Sequence, residues 1–572
     1  MTPHTHTDPA RHATDHGRHA RRKRRHAGAR PSPFWTRWFT ANALISGALA
    51  LVWLVLRSGA KPSRFAYPCQ QAALSAATLA FGAPLVSAVI AGRRRIVHGL
   101  RQPRGIAAAA VGLLLTAGAW GYLARATAVP VVRLGPPAGY RAQLYHVTEC
   151  PEDPVGDRFP GVDNLLALMG REGLKFHRSA TQGLTSGPDG IIAADDVVVV
   201  KINYQWPERG GTNVDVLRGL ILRIFDHPDT FTGEVVVCEN AQFNSISNFD
   251  RASNNAQDHG LSPHDVVVGF QAQGYNISHY DWTVRRNTLV HEYADGDMTD
   301  GYIRYDYDPT LQGRVSYPKF RSAAGTYISL RFGIWDTVTS TYDRERLKFI
   351  NMPVLKSHHA TYGATSCVKH YMGVVSGNLG TNSHTAIRWG ILGALLGDIQ
   401  LADLNLLDAI WINANPYDGP WTTYSGATRR DELVASVDPI AADIWAVKNI
   451  LIPAFLENGY APPWPNPSAD PDDPNSDFRE YLDNSMSRII AAGYEVTNVL
   501  DRIDATTWNG GGDIDGDADV DLDDFAAFRE CLVGPGVLPP QGCRDLDLHV
   551  DGDIDLEDFA RLQCVFTGAG DF

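Results

Sequence analysis

Three uncharged apolar segments, residues 39–56, 72–92 and 105–124, constrain this chain more than any other feature. A helix rising about 1.5 Å per residue needs about 20 such residues to cross about 30 Å of hydrocarbon. Each segment meets that length, so residues 39–126 are expected to form a membrane region of three transmembrane helices in contact with the lipid bilayer. A 38-residue lead and two further spans argue against reading the first as a cleaved signal peptide. The leading segment, residues 1–38, is rich in His and Arg and contains the run Arg21-Arg22-Lys23-Arg24-Arg25; it reads as a disordered basic tail.

Charge sets the expected orientation. The first 38 residues carry nine Lys and Arg, the loop 93–104 carries five, and the loop 57–71 carries three. The positive-inside bias therefore places the N-terminus in the cytoplasm and the main domains outside, across the cytoplasmic membrane. The asymmetry continues along the chain: residues 1–130 hold 18 basic against two acidic residues, whereas the remainder holds 33 against 62. An acidic body argues against a nucleic-acid partner. Seven cysteines include no Cys-x-x-Cys pair, so no iron–sulfur cluster or zinc ribbon is expected.

From about residue 135 to 505 the pattern changes to β-rich runs alternating with helical spacing. Residues 196–203 form a continuous apolar run with a β-branched core, 214–225 have helical periodicity, and 233–238 form a second apolar run. This reads as a β-α-β unit with parallel strands buried on both faces. Further strands are expected at 349–355 and 404–412, and helices near 385–396, 439–451 and 481–500. Residues 276–321, rich in Tyr, Asp and Gly, read as an inserted antiparallel piece. The expected fold is a three-layer α/β domain with a mostly parallel sheet.

The run Asn351-Met-Pro-Val-Leu-Lys-Ser-His-His359, followed by Cys367-Val-Lys-His-Tyr-Met-Gly373, resembles a signature of the domain-of-unknown-function 362 family. Residues 197–201 are similar to that family's first Val-x-x-Lys strand. Leu407-Asp408-Ala409 and Asp438-Pro-Ile-Ala-Ala-Asp443 are similar to its closing motifs, so the likeness covers about residues 190–455. Two departures stand out: His370 occupies a position usually held by Asn, and the iron–sulfur cysteines that some relatives append are missing.

The candidate site follows from strand ends. Lys201, Glu239, Lys356 and His358 fall near the C-terminal ends of expected strands, where ligands bind in open α/β sheets. Two lysines there favour a small anionic ligand, and a desolvated lysine near other cations serves as base or nucleophile. The alternative is that Lys201 and Lys356 form buried ion pairs with Glu239 and Asp408. Lys369, opening the helix after the 363–366 loop, either adds to the anion site or faces solvent. His358 and His359 point to opposite faces of a strand, so they do not share a metal readily. Asp438 before Pro439 reads as a helix N-cap.

A Pro-rich stretch at 461–477, by composition a linker or an exposed loop, leads to the strongest motif. Asp513, Asp515, Asp517, Asp521 and Asp524 stand at positions 1, 3, 5, 9 and 12 of a twelve-residue loop, with Asp519 at position 7. Asp547, His549, Asp551, Asp555 and Asp558 repeat the register, with Asp553 at position 7. Calcium takes six to eight oxygens, including a backbone carbonyl at position 7, and so many carboxylates in one loop would repel without a cation. Val520 and Ile554 at position 8 are expected to anchor each loop, and Phe525, Phe528, Phe559 and Leu562 to give the following helices an apolar face. The pair, residues 511–572, resembles a dockerin: a small all-α, EF-hand-like domain that implies bound Ca2+ and a cohesin-like protein partner. His549 at position 3 predicts weaker calcium binding in the second loop. Cys531 and Cys543 bracket the Gly534-Pro-Gly536 insertion and are placed to form a disulfide.

These features leave two functional classes. One is a membrane-anchored extracytoplasmic enzyme acting on an anionic substrate, with the repeat as an attachment module. The other is a non-catalytic cell-surface assembly protein.

Overall fold

The computed structural model describes residues 133–565, except 149, 151–156, 243–252, 255–260, 360–361, 465–467, 474, 509–511, 513–519, 541–542, 544–545, 547 and 549–552. The chain divides into two compact units, Met1–Ala128 and Val129–Phe572, and the described residues all belong to the second. The expected membrane segments lie outside them. Among the described residues one helical run, Pro439–Glu457, is long and apolar enough to cross a membrane, and 72% of its most apolar stretch is buried inside the α/β domain. It is a core helix.

The central sheet grows from the Val-rich runs. Its elements in chain order begin with β1 (Ala142–Val147), α1 (Pro160–Arg171), β2 (Val197–Lys201), α2 (Val214–Phe225), β3 (Glu234–Glu239), α3 (Pro263–Ala272) and β4 (Ile277–Asp281). A five-stranded antiparallel sheet follows: β5 (Gly301–Arg304), β6 (Ser316–Arg321), β7 (Tyr327–Ser329), β8 (Gly333–Asp336) and β9 (Thr341–Asp343). The chain then returns to the main sheet with β10 (Leu347–Asn351), β11 (Val354–His358), β12 (Gly363–Thr365), α4 (Cys367–His370), α5 (Ile391–Asp398), β13 (Leu404–Asn413) and β14 (Thr428–Ser436). It closes with α6 (Pro439–Ala446), α7 (Ile452–Glu457), α8 (Asp477–Ala491), β15 (Ile503–Trp508), α9 (Leu522–Cys531) and α10 (Leu556–Val565).

The main path through the sheet runs β15-β1-β14-β13-β10-β2-β3-β4, and only β14 is antiparallel to its neighbours on it. The β2-α2-β3 unit is parallel as expected, with Val197 beside Glu234 and Lys201 beside Cys238. Alternation along β2 makes the layers. Val197 and Val199 join one apolar cluster, with α5, α6, α8 and the small sheet; Val198 and Val200 join another, with α1, α2 and α3. A strand buried on both faces cannot show a polar/apolar period, which is why its sequence reads as an unbroken apolar run.

Three sequence expectations shift in position. The strand expected at 349–355 is two strands, because Pro353 has no N–H to give the ladder. The chain continues after it as β11, whose Lys356 pairs with Asn413. The expected helix near 385–396 starts as short turns and becomes α5 only after Gly390, held at φ +82°. The antiparallel insertion runs from Gly301 to Asp343; Ile277–Asp281 instead extends the main sheet in parallel beside β3. Its buried Ile277 joins the apolar cluster under α3.

A smaller apolar cluster gathers Val520, Phe528, Cys531, Ile554 and Leu562 from α9, α10 and the residues preceding them, and Cys531 and Cys543 are disulfide-bonded.

Two glycines test the packing. A Cβ added at Gly393 in α5 would run into the Ser485 backbone of α8, whereas one added at Gly269 in α3 would meet open space. Gly393→Val is expected to lower unfolding free energy by about 1–3 kcal/mol. Gly269→Ala should leave it unchanged or raise it by up to about 1 kcal/mol. Urea denaturation followed by tryptophan fluorescence measures both.

Candidate functional site

The parallel strands end together, and their last residues are charged. Lys201 closes β2 and Glu239 closes β3; Lys356 and His358 project two residues apart from one face of β11. Residues 366–373 fold back over these ends, bringing in Lys369 and His370 of α4. Asp408 comes from β13. All are buried except His358, which is half-buried: Lys201, Lys356 and Asp408 are 0% exposed and Lys369 4%.

The Lys201 ammonium meets the Glu239 carboxylate at 2.6 Å, with neither side chain more than 2% exposed. Burial pushes the Lys201 amine down and the Glu239 carboxyl up, and their mutual attraction opposes both shifts. The contact distance favours the ionised pair. The backbone of Gly373 seals it, since a Cβ there would collide with both the amine and the carboxylate. Gly373 also accepts the Asn240 N–H at 3.1 Å, so this close approach is built into the chain.

Lys356 is held differently. Its Nζ donates to the Gly210 carbonyl in the short strand Glu208–Asn213 just before α2. Burial lowers it to about 7, against attraction from Asp408 and Glu239. The expected ion pair with Asp408 is thus an electrostatic neighbour rather than a direct contact. Asp408 accepts N–H bonds from Ile410 at 3.0 Å and Asn213 at 3.2 Å. Burial raises it to about 6, and those bonds, Lys356 and Arg209 oppose the rise. Arg209 is itself buried and lies over the Trp411 ring at 4.2 Å.

Lys369 has no carboxylate in contact among the described residues. Its Nζ lies 2.6 Å from His358 Nδ1 and 3.4 Å from Thr365 Oγ1. Burial, reinforced by the Lys356 charge, holds it well below the usual lysine range. His358 is pushed down by burial and by Lys369 and Lys356. His370 Nδ1 bonds Asn351 Oδ1 at 2.7 Å, and Asn351 in turn donates to Asn405 at 2.9 Å. His370 is pushed down by burial and by Lys201 and Lys356.

The structure therefore gathers Lys201, Glu239, Lys356, His358, Lys369 and Asp408 at one edge. Mutual electrostatic influence links Lys201, Glu239, Lys356 and Asp408, and Lys356 reaches Lys369. Counting Arg209 beside Asp408 and Asp281 beside Glu239, four basic side chains face three carboxylates. Lys369 faces this cluster, not solvent. His359 lies apart, its backbone N–H bonded to Asp418. Sequence reasoning missed Gly210, Arg209 and Asn351, which enter through loop and strand geometry that carries no local signal.

Asp443 of α6 accepts the Val368 N–H at 3.2 Å and so fixes the first turn of α4, which carries Lys369 and His370. Asp438 caps α6 as expected, accepting from Ile440 and Ala441, each at 2.9 Å. A half-open cavity of about 340 Å3 lined by Asp163, His177, Arg223 and Asp226 lies at the other, N-terminal edge of the sheet. Its Arg223 is already paired with Asp163 and Asp226, so the cavity offers an anion no free cation among its described lining.

Of the expected metal ligands, Asp513, Asp515, Asp517, Asp519, Asp547, His549 and Asp551 lie outside the described residues. Asp521 and Asp524 form a capping box at the start of α9. The Asp555 N–H donates to Asp558 Oδ2 at 2.8 Å in the same way before α10. One oxygen each of Asp553, Asp555 and Asp558 lies within 4.8 Å of the others, which fits a shared cation.

Removing one partner of a buried pair leaves an uncompensated charge. Lys201→Met is expected to cost about 3–5 kcal/mol of stability, and adding Glu239→Gln should recover most of it. Urea midpoints of the two variants decide the point; equal losses in both would mean the pair contributes nothing beyond packing.

No curated protein and no solved structure matches this chain. Residues 343–448, from the end of β9 to the helix after β14, match the family model described as Domain of unknown function (DUF362), a stretch that includes Lys356, His358, Lys369, Asp408 and Asp443.

Proposed function

We propose that the α/β domain binds a small anionic ligand at the C-terminal edge of its parallel sheet, with Lys356, beside the Lys201–Glu239 pair, supplying the positive charge. The observation that carries this reading is Lys356, fully buried at the strand ends, whose Nζ donates to a neutral carbonyl while Asp408 is an electrostatic neighbour rather than a contact. A buried cation without a counter-charge is costly, and an incoming phosphate, sulfate or carboxylate would supply one. Strand ends are also where open α/β sheets hold their ligands.

The sign of the pH dependence follows from Lys356, whose amine is lowered to about 7. It is charged below that value and neutral above it, so affinity for an anion falls as pH rises through it. Sulfate keeps one charge state across this range and is the cleaner probe. Calorimetry on the full chain should show sulfate binding at pH 6 that weakens at least several-fold by pH 8.5, and Lys356→Met should weaken binding at pH 6. Absence of sulfate binding at millimolar concentration, together with no effect of inorganic phosphate, sinks the reading.

We further propose that residues 511–572 form a dockerin-like, calcium-dependent interaction module for a cohesin-like protein. Support comes from the two loops in one register, the matched N-terminal contacts of α9 and α10, and the convergence of Asp553, Asp555 and Asp558. A chain anchored through residues 39–126, with residues 1–38 inside and the α/β domain outside, fits the arginine placement and the Cys531–Cys543 disulfide. Calcium should raise the melting temperature of the C-terminal transition of the full chain with an apparent Kd of about 0.1–1 mM. Asp524→Ala should abolish part of that shift, and His549→Asp should enlarge it.

A further inference from the structure

We propose that Lys369 is an amine nucleophile that condenses with the carbonyl of a small 2-oxo acid or aldehyde acid, whose carboxylate rests against Lys356. This deepens the anion-site reading and rests on it. Three lysines share the edge, and their contacts differ. Lys201 is committed to Glu239 at 2.6 Å, and Lys356 is tied to the Gly210 carbonyl with Asp408 nearby. Lys369 alone of the three has no carboxylate beside it among the described residues; its neighbours are the His358 imidazole at 2.6 Å and the Thr365 hydroxyl at 3.4 Å.

An amine in that setting, nine-tenths or more buried and next to the cationic Lys356, is destabilised as the ammonium, and its lone pair becomes available at neutral pH. The spacing supports a division of labour. Lys356 and His358 stand two residues apart on one strand face, and Thr365 is the cross-strand partner of Lys356. A ligand with carboxylate and carbonyl on adjacent carbons spans such a gap. His358 and His384, the two histidines that Lys369 influences, are both only half-buried.

The step balances. The amine nitrogen attacks the carbonyl carbon to give a carbinolamine; its oxygen then leaves as water as the C=N bond forms, taking up the proton that nitrogen loses. No oxidant or reductant is needed. Added cyanoborohydride supplies hydride to the C=N bond and makes the adduct permanent. With glyoxylate as probe, the product on lysine is one carboxymethyl group.

The test uses the full-length chain at pH 7 with glyoxylate and cyanoborohydride, followed by peptide mass mapping. The expected result is carboxymethylation at Lys369 ahead of the half-buried Lys175 and Lys448, with acetaldehyde, which lacks the carboxylate, labelling Lys369 several-fold less. Lys369→Arg should lose the label. Mapping on the unaltered chain stands even where that variant fails to fold. Sulfate binding with the label confined to Lys175 and Lys448 overturns the nucleophile and leaves the anion site. Equal labelling of Lys369 by acetaldehyde and glyoxylate overturns the carboxylate contact at Lys356. Loss of both sulfate binding and labelling overturns the anion site as well.

Discussion

The ion pair between Lys201 and Glu239 sets the terms for the rest of the molecule. Each residue ends a strand whose four preceding positions are apolar, so both charges are carried into the interior by the same strands that form the core. Removing two charges from water costs several kcal/mol per ion, and only close contact and exclusion of water offset it. The closing segment at 371–373 provides the exclusion. Gly373 has no side chain because the pair occupies that space, and its carbonyl binds Asn240, one residue past Glu239. The pair and its cover therefore form together or not at all.

The remaining charges are arranged around that pair by helix ends. Asp443 fixes the first turn of α4, and Asp438 caps the helix that carries Asp443 while also accepting the Thr497 N–H at 2.8 Å. Both carboxyls are raised to about 7, by burial first, with their N–H partners opposing the rise. Lys369 thus owes its place to two buried carboxylates that never touch it. Asn351 performs a similar task for His370, at the position where β10 stops and Pro353 diverts the chain.

Much of this was legible in the sequence where a local signal existed. The Val run at 197–200, the helix from Val214 to Phe225, the cap at Asp438 and the Cys531–Cys543 disulfide all follow from short-range patterns, and all stand where expected. The strand-end rule selected Lys201, Glu239, Lys356 and His358 without knowledge of their contacts. It did not reveal that Lys356 would bond a backbone carbonyl of the short strand Glu208–Asn213, because nothing in Gly210-Gly211 marks a partner 146 positions away. Nor did it separate Ile277–Asp281 from the Tyr- and Asp-rich insertion, since five residues of mixed character form an edge strand only through their neighbour β3.

The opposite edge of the sheet bears on how the two halves of the described unit are joined. β15 is the outermost strand there and pairs in parallel with β1 over all six of its residues. An exposed edge strand is a template for unwanted pairing, and proteins cover it or twist it away. Trp508, its last residue, packs against the α1–α3 cluster and also against the small cluster of α9 and α10, and Arg171 of α1 lies over its ring at 4.7 Å. One aromatic side chain therefore belongs to both cores. The α9–α10 cluster is held next to this sheet edge, because Trp508 packs into it and into the α1–α3 cluster alike. A Pro-rich stretch at 461–477 does not serve as the hinge: α8 and β15 follow it, and both pack on the α/β body.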